Sequence, residues 1–271
     1  MKIVICVKRD LEGNIALNKI VQDLQGHDLL VLLSDHFMKT ERENQEAARF
    51  IFYERDLLVE QIFPLLEAVP LSKHQPRYLT FEQIRQVYGV PILITRNVND
   101  AESETLIRSF DPDVMLSVRF DFIFRPHIIA LPKLGILNVH PGALPRYRGV
   151  YAPFRAMLYG EEKIGCTLHF IDEGIDTGPI VGIQYMPVDY KRSVLWHIAH
   201  LYPLGIDMFV ESIPLMECGE LPPADPQLAA EQHYYTFPTP EEFKQFKERG
   251  FSLIDDREYL NFLLLYRSPE L

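Results

Sequence analysis

The chain has 271 residues, 47% of them apolar and 24% charged, and carries a formal net charge of −11. That length suffices for one large core or for a domain with an appendage, and the composition is that of a globular protein, not a disordered or collagenous one. An acidic surface repels phosphodiester backbones, which disfavours a broad nucleic-acid footprint; no apolar run approaches the roughly 18 residues that a membrane-spanning helix requires.

The first residues, 3–7, form a continuous apolar run of the kind found in central parallel strands. After a polar loop (8–13), Leu17, Ile20, Val21 and Leu24 recur at helical spacing and Gly26 supplies a stop. Residues 29–33 are a second buried strand, so the chain opens β-α-β and predicts a right-handed crossover in a doubly wound, Rossmann-like, mostly parallel sheet. The first loop lacks the G-x-G-x-x-G dinucleotide fingerprint, although a helix beginning near Gly13-Asn14 could receive a phosphate beside Lys8 or Arg9. Residues 41–69 predict one or two helices, with a break or kink at Pro64, and 70–78 a loop. Thr80-Phe-Glu-Gln83 fits a capping box and Gly89 a helix stop. A strand (91–95), a helix (101–110), an Asp111-Pro112 turn and a further strand (113–118) follow, then a short helix over 126–131.

From 135 the chain becomes rich in chemistry. Residues 136–139 read as a short buried strand that empties into a loop stiffened by Pro141 and Pro145. Strand alternation puts Asn138 and His140 on one face. A helix over 152–159 would place its N-terminus at this loop. A strand over 164–171 carries Gly165-Cys-Thr167-Leu-His169 and leads to an acidic loop in which Gly174 and Gly178 bracket Asp176. Those glycines would permit unusual dihedrals in a tight loop that approaches a ligand with its backbone. An amide, an imidazole and a carboxylate on adjoining loops could stabilise an oxyanion, shuttle a proton and orient the shuttle. A metal site built on His140, His169 and Asp176 is weakly supported, because neither an HxxxH spacing nor paired cysteines accompany them; no metal is expected.

A strand over 179–187 and a helix over 194–210, bent at Pro203, complete a domain assigned to 1–216. Pro- and Gly-rich residues 217–226 mark the best boundary. Residues 217–271 are assigned as linker and small, mostly helical C-terminal extension, with helices over 241–249 and around Leu260–Leu264. Tyr234 and Tyr235 would suit stacking on a base or sugar if folded back over the cleft, or else join the two parts. The three cysteines, Cys6, Cys166 and Cys218, are odd in number and far apart, so free thiols are expected. With the start at Met1-Lys2-Ile3 leading directly into a strand, the expectation is a reduced, soluble, cytoplasmic protein.

The ordered set Asn138-x-His140-Pro141, Leu144-Pro145, Gly149, then Gly165-x-Thr167-x-His169 and Asp176-x-Gly178 resembles the folate-dependent formyltransferase family. The likeness is good over about 76–190 and loose in the flanks. Gly142 stands where the family usually has Ser or another small residue. The resemblance implies 10-formyltetrahydrofolate as formyl donor, a primary amine as acceptor, and Asn138, His140 and Asp176 as the catalytic set. Asn138 would donate to the developing oxyanion. His140 would donate to the same oxygen or take the amine's proton, and Asp176 would orient the imidazole or accept a proton through water. The resemblance also implies that the segment after strand 113–118 lines the pterin pocket, where Phe122 and Phe124 form a flat apolar wall, with Gly174, Ile175 and Gly178 as further donor contacts. Pro141, Gly142, Arg146 and Arg148 are the candidates for meeting substrate; the two arginines could grip a phosphate or the folate glutamate.

Among acceptors, methionyl-tRNA is disfavoured by the charge and by an extension too short for a β-barrel. Glycinamide ribonucleotide is disfavoured by the first loop, which lacks the family's phosphate-holding Gly-Asn/Ser turn. An amino-sugar nucleotide or similar small amine is the acceptor expected by elimination. A formyltetrahydrofolate hydrolase, which would use the same three residues with water as acceptor, and a folate- or sugar-binding relative without turnover are the alternatives. A homodimer through a sheet edge or the extension is compatible with the sequence.

Overall fold

The computed structural model describes residues 1–36, 42–71, 76–228 and 232–267. Strand β1 (Lys2–Lys8) is followed by α1 (Leu11–Asp23) and β2 (Asp28–Ser34). Then come α2 (Gln45–Ile51), a π-helical stretch (Phe52–Ile62), α3 (Phe63–Glu67), α4 (Phe81–Tyr88) and β3 (Ile92–Thr95). The sequence continues through α5 (Ala101–Phe110), β4 (Val114–Val118), α6 (Pro126–Ile129), β5 (Ile136–His140), the short β6 (Arg148–Gly149) and α7 (Ala152–Leu158). It closes with β7 (Lys163–Phe170), β8 (Ile180–Pro187), α8 (Val194–Glu217), the short β9 (Tyr234–Tyr235), α9 (Pro240–Glu248) and α10 (Asp256–Leu264).

Seven strands form one sheet in the order β3-β2-β1-β4-β5-β7-β8, and β6 pairs with β9 in a separate ladder. The pairs from β3 to β5 are parallel, whereas β7 lies antiparallel to both β5 and β8. This is the doubly wound, mostly parallel α/β architecture that the alternating apolar runs predict. The winding reverses between β1 and β4, and in open α/β sheets that is where a crevice opens beyond the carboxyl ends of the strands. Alternate strand residues feed two cores. Ile3, Ile5, Leu116, Val139 and Leu168 face one that includes α1, α7 and α8. Val4, Cys6, Met115 and Ile136 face a second, smaller one with Ile107, Phe124 and Ile128.

Local signals account for the helix ends. Thr80 and Gln83 form the reciprocal capping box, and Gly89 ends α4 in the left-handed region at φ 66°. The elements from Gln45 to Glu67 follow one another without a gap and change from π-helical to α-helical at Phe63, so Pro64, which lacks an amide donor, marks a change of helix type and not a break. The start of that predicted helix and part of the 70–78 loop, at 41 and 72–75, lie outside the described residues. Helix α8 runs on past the predicted end at 210 and contains both Pro203 and Pro214.

Residues 8–13 differ from expectation. They are not a solvated loop: α1 already begins at Leu11, and Asp10 caps it by accepting a 2.8 Å hydrogen bond from the Gly13 amide. The helix N-terminus that could have received a phosphate is filled by the protein's own carboxylate.

After α8 the chain returns to the main body. Phe243, Phe246, Leu253, Ile254, Tyr259, Phe262 and Tyr266 are buried in the same core as α1 and α8. The segment between α8 and α9 meets the start of the edge strand β8, where Asp225 bridges Ile180 through two 2.8 Å backbone hydrogen bonds. Among the described residues, no helix is long and apolar enough to cross a membrane.

Candidate active site

A cavity of about 470 Å³ lies at the carboxyl ends of β1, β4 and β5. Asn138, His140, Pro141, Gly174, Ile175, Asp176, Phe122 and Phe124 all line it. Gly142, Gly178, Arg146 and Arg148 do not.

The Gly-x-Thr-x-His pattern acquires a physical meaning on β7. Register pairs His140 with Thr167 and Asn138 with His169, so alternate residues of the two strands share one face of the sheet. Gly165 leaves room for the loop after β5: a Cβ there would meet the Ala143 Cβ at 2.9 Å. Thr167 fastens that loop by donating to the Gly142 carbonyl at 2.6 Å and accepting from the Leu144 amide at 3.1 Å. Gly142 itself must be small, since a Cβ would come within 2.7 Å of both the His140 ring and the Ala152 Cβ.

His169 orients Asn138. Its Nδ1 lies 2.8 Å from the Phe170 carbonyl, which only accepts, so the proton is on Nδ1 and the Nε2 lone pair accepts from Asn138 Nδ2 at 3.1 Å. Burial pushes the His169 pKa down to about 4, against the opposing attraction of Asp176. The neutral ring is therefore the working form at neutral pH. One Asn138 amide proton is committed and the other remains for a ligand in the cavity.

His140, 5% exposed, places Nε2 2.6 Å from the Tyr147 carbonyl, which puts a proton on that nitrogen. Its Nδ1 faces Asp176 Oδ2 at 3.7 Å, and Asp176 Oδ1 stands 3.7 Å from His169 Nε2. The carboxylate thus sits between two imidazoles and forms its firm hydrogen bond with the Gly149 amide, at 2.8 Å. Both 3.7 Å separations are ion-pair distances, longer than a hydrogen bond.

The loop geometry differs from the glycine-based expectation. Asp176 itself adopts the left-handed conformation, with φ 52°, and neither flanking glycine is among the residues with positive φ. The glycines serve close approach instead: a Cβ on Gly178 would fall 1.9 Å from the Phe170 carbonyl oxygen, and one on Gly174 2.1 Å from Thr177 Oγ1. The arginines also differ. Arg148 ties the loop down, donating to the Ile175 carbonyl from Nε at 2.9 Å and Nη2 at 2.6 Å and to Gln232 at 2.8 Å. Arg146 is surface-exposed and pairs with Glu161 at 2.9 Å.

Phe120 stacks on Phe124 with centroids 5.5 Å apart and meets Phe122 edge-on at 5.4 Å, forming an aromatic wall on the smaller-core side of the cavity. Tyr234 folds back to line the mouth and is 52% exposed. Tyr235 instead stacks on Tyr147 with centroids 5.8 Å apart, joining the late segment to the body. Sequence reasoning missed the roles of two contributors, although Gly149 itself stands in the motif set. One is the Gly149 amide, whose position depends on β6–β9 pairing. The other is Gln227, which donates to the carbonyls of Asp176 (2.9 Å) and Gly178 (2.8 Å). Among the described residues, no group of His, Cys, Asp and Glu is arranged to hold a metal ion.

The fold and site together define a Rossmann-like α/β protein whose cavity presents an oriented amide donor and a carboxylate–imidazole pair. Residues 69–196 match the model of the formyl transferase family, and the match contains the whole Asn138–Asp176 constellation. A methionyl-tRNA formyltransferase from Kosmotoga olearia is 30% identical over 140 residues, covering 52% of this chain and 45% of the relative. One from Halorhodospira halophila is 35% identical over 127 residues, covering 47% and 41%. The chain thus matches less than half the length of these curated relatives. Solved structures extend the likeness of fold to nearly the whole chain. An N-formyltransferase from Helicobacter canadensis, in complex with folinic acid and dTDP-3-aminofucose, superposes with a TM-score of 0.58 at 17% identity, covering 95% of this chain and 82% of its own. A glycinamide ribonucleotide transformylase from Symbiobacterium toebii gives 0.56 at 17% identity, covering 84% and 94%.

Proposed function

We propose that the protein transfers a formyl group from 10-formyltetrahydrofolate to a small primary amine, with an amino-sugar nucleotide as the foremost acceptor type. The observation that carries the reading is the convergence of Asn138, His140 and Asp176 in one cavity, with the Asn138 amide held by a neutral His169.

The cavity fits such a donor. The Phe120–Phe122–Phe124 wall suits a flat heterocycle, and Ile175 with the backbone around Gly174 lies beside it in the lining. When bound, the folate supplies an activated formyl carbon. The uncommitted Asn138 amide proton stabilises the negative charge that develops on the carbonyl oxygen during attack. His140 and Asp176 take the proton that the amine nitrogen loses as its bond to the formyl carbon forms, and return a proton to the departing folate nitrogen. No covalent enzyme intermediate is needed. Gly149 and Gln227 hold Asp176 in place throughout, which is the preorganisation such a step requires.

A tRNA acceptor is the second reading, carried by the names of the curated relatives; the net charge of −11 counts against a large polyanion. The deciding experiment follows tetrahydrofolate release spectroscopically with 10-formyltetrahydrofolate and a panel of amino-sugar nucleotides, glycinamide ribonucleotide and methionyl-tRNA. Release dependent on a sugar amine supports the primary reading. Release dependent on methionyl-tRNA moves it to the second, release with no amine makes the protein a hydrolase, and saturable folate binding without release makes it a binding relative.

A further inference from the structure

The catalytic residues occupy only part of the cavity. The part of the lining that we treat as a second arm consists of Phe50 and Glu54, Arg119 just after β4, and Ile198 and Tyr202 of α8. Phe50, Ile198 and Tyr202 belong to the larger core, on the other side of the sheet from the aromatic wall.

Two features of this arm go beyond the needs of the fold. Tyr202 is 1% exposed and lines the cavity, yet among the described residues its hydroxyl has no hydrogen-bond partner. A buried phenol normally finds one, so this hydroxyl is poised for a ligand. Every cation of the lining is also already matched. Arg119 contacts Asp10 at 2.8 Å, Glu12 at 2.6 Å and Glu54 at 2.9 Å, and all three acids are at most 3% exposed. Lys8 pairs with Asp121 at 3.0 Å, and the α1 N-terminus is capped by Asp10. A phosphate entering here would lose its hydration and meet acidic side chains, and among the described residues both the lining lysine and the lining arginine are already matched. A hydroxyl, by contrast, finds the Tyr202 phenol and the spare lone pairs of Glu54, while Phe50 and Ile198 can pack against C–H surface. Burial raises the Glu54 carboxyl against the pull of Arg119, and ionised or not it can accept from a ligand hydroxyl.

We propose that this arm is the acceptor subsite and that it takes the amine-bearing end of the acceptor as an uncharged, hydroxylated ring or chain. Tyr202 and Glu54 are its polar contacts, and any nucleotide stays outside at the mouth beside Tyr234. The inference rests on the formyl-transfer reading above and narrows its substrate class.

The test uses the full chain, saturating 10-formyltetrahydrofolate, and pairs of primary amino sugars that differ only by a phosphate on the aminated ring. The phosphate is expected to lower kcat/KM by about tenfold or more, a single lost favourable contact being worth about that factor. Tyr202→Phe, which removes only an unpaired hydroxyl, is expected to raise the acceptor KM by about fivefold to tenfold. Its affinity for folinic acid, measured by titration, stays at the wild-type value. Glu54→Gln is expected to weaken the discrimination against phosphate. Equal or better use of the phosphorylated amine, or an unchanged KM in Tyr202→Phe, overturns the subsite while leaving formyl transfer standing. Absence of amine-dependent release from the wild type overturns the transfer reading and the subsite with it.

Discussion

Two buried polar clusters flank the same cavity, and they solve the problem of burial in opposite ways. Around Asn138 the groups are hydrogen-bonded in a row across β5 and β7: a neutral His169 accepts from the amide, Thr167 pins the loop, and the Gly149 amide holds Asp176. Around Arg119 three carboxylates share one guanidinium. Neutral hydrogen bonds tolerate burial at little cost and fix geometry. Clustered charges are costly to desolvate and hold together only while every partner is present. The first arrangement suits groups that must stay aligned while a reaction proceeds. The second suits a wall that repels one kind of ligand.

Substitutions can break this contrast. In the first cluster His140→Ala and Asp176→Ala are each expected to lower turnover by about 100-fold or more with folinic acid binding retained, because proton movement and not donor affinity depends on them. Near-wild-type rates in either variant would contradict the assignment. In the second, Arg119→Met should destabilise the fold by about 3–5 kcal/mol, since it strands three buried carboxylates. Urea denaturation reads this directly, and a loss below about 1 kcal/mol would mean that Glu12 and Glu54, both shifted upward, already fold protonated.

Acid should act on the two clusters in opposite directions. His169 has a folded-state pKa of about 4 against an ordinary 6.5. Between those values the unfolded chain binds the proton and the folded chain does not, so stability is full above about pH 6.5 and declines as the pH falls toward 4. The loss is on the order of 3 kcal/mol for that one group. Glu12 and Glu54 are shifted upward, burial being the larger cause, so their protonation on acidification favours the folded state. His169→Gln should therefore flatten the decline in melting temperature between pH 6.5 and 4.5; an unaltered slope would place the titration elsewhere. The smallest effect belongs to Arg146→Ala. Its exposed pair with Glu161 is worth no more than about 1 kcal/mol, and acceptor kinetics should not change.

The same contrast explains what could be read from the chain. The Asn138–Asp176 constellation lies within one stretch and is written in strand alternation, so its residues and their shared face were legible. The sheet, too, was legible from the continuous apolar runs of β1, β2 and β4. The acid–arginine cluster draws Asp10 and Glu12 from the start of α1, Glu54 from the π-helical stretch and Arg119 from the end of β4, and no local pattern links these three places. Residues 8–13 looked like a solvated loop because three charges precede the first apolar residue. Burial against Arg119 instead lets the helix begin at Leu11. Arg146 and Arg148 looked alike in sequence, yet only one is within reach of the Ile175 carbonyl. Which arginine becomes a tether is decided by where Gln232 and β9 arrive.

That late segment has a wider consequence. The recognisable formyl transferase sequence ends at 196, but Asp176 is fastened from beyond it. Gln227 grips the carbonyls of Asp176 and Gly178, Asp225 staples Ile180, and Arg148 and Val150 are hydrogen-bonded to the backbone of His233 and Tyr235. A fragment trimmed to the matched residues 69–196 would keep Asn138, His140 and Asp176 but lose the clasp that holds the Asp176 loop in place.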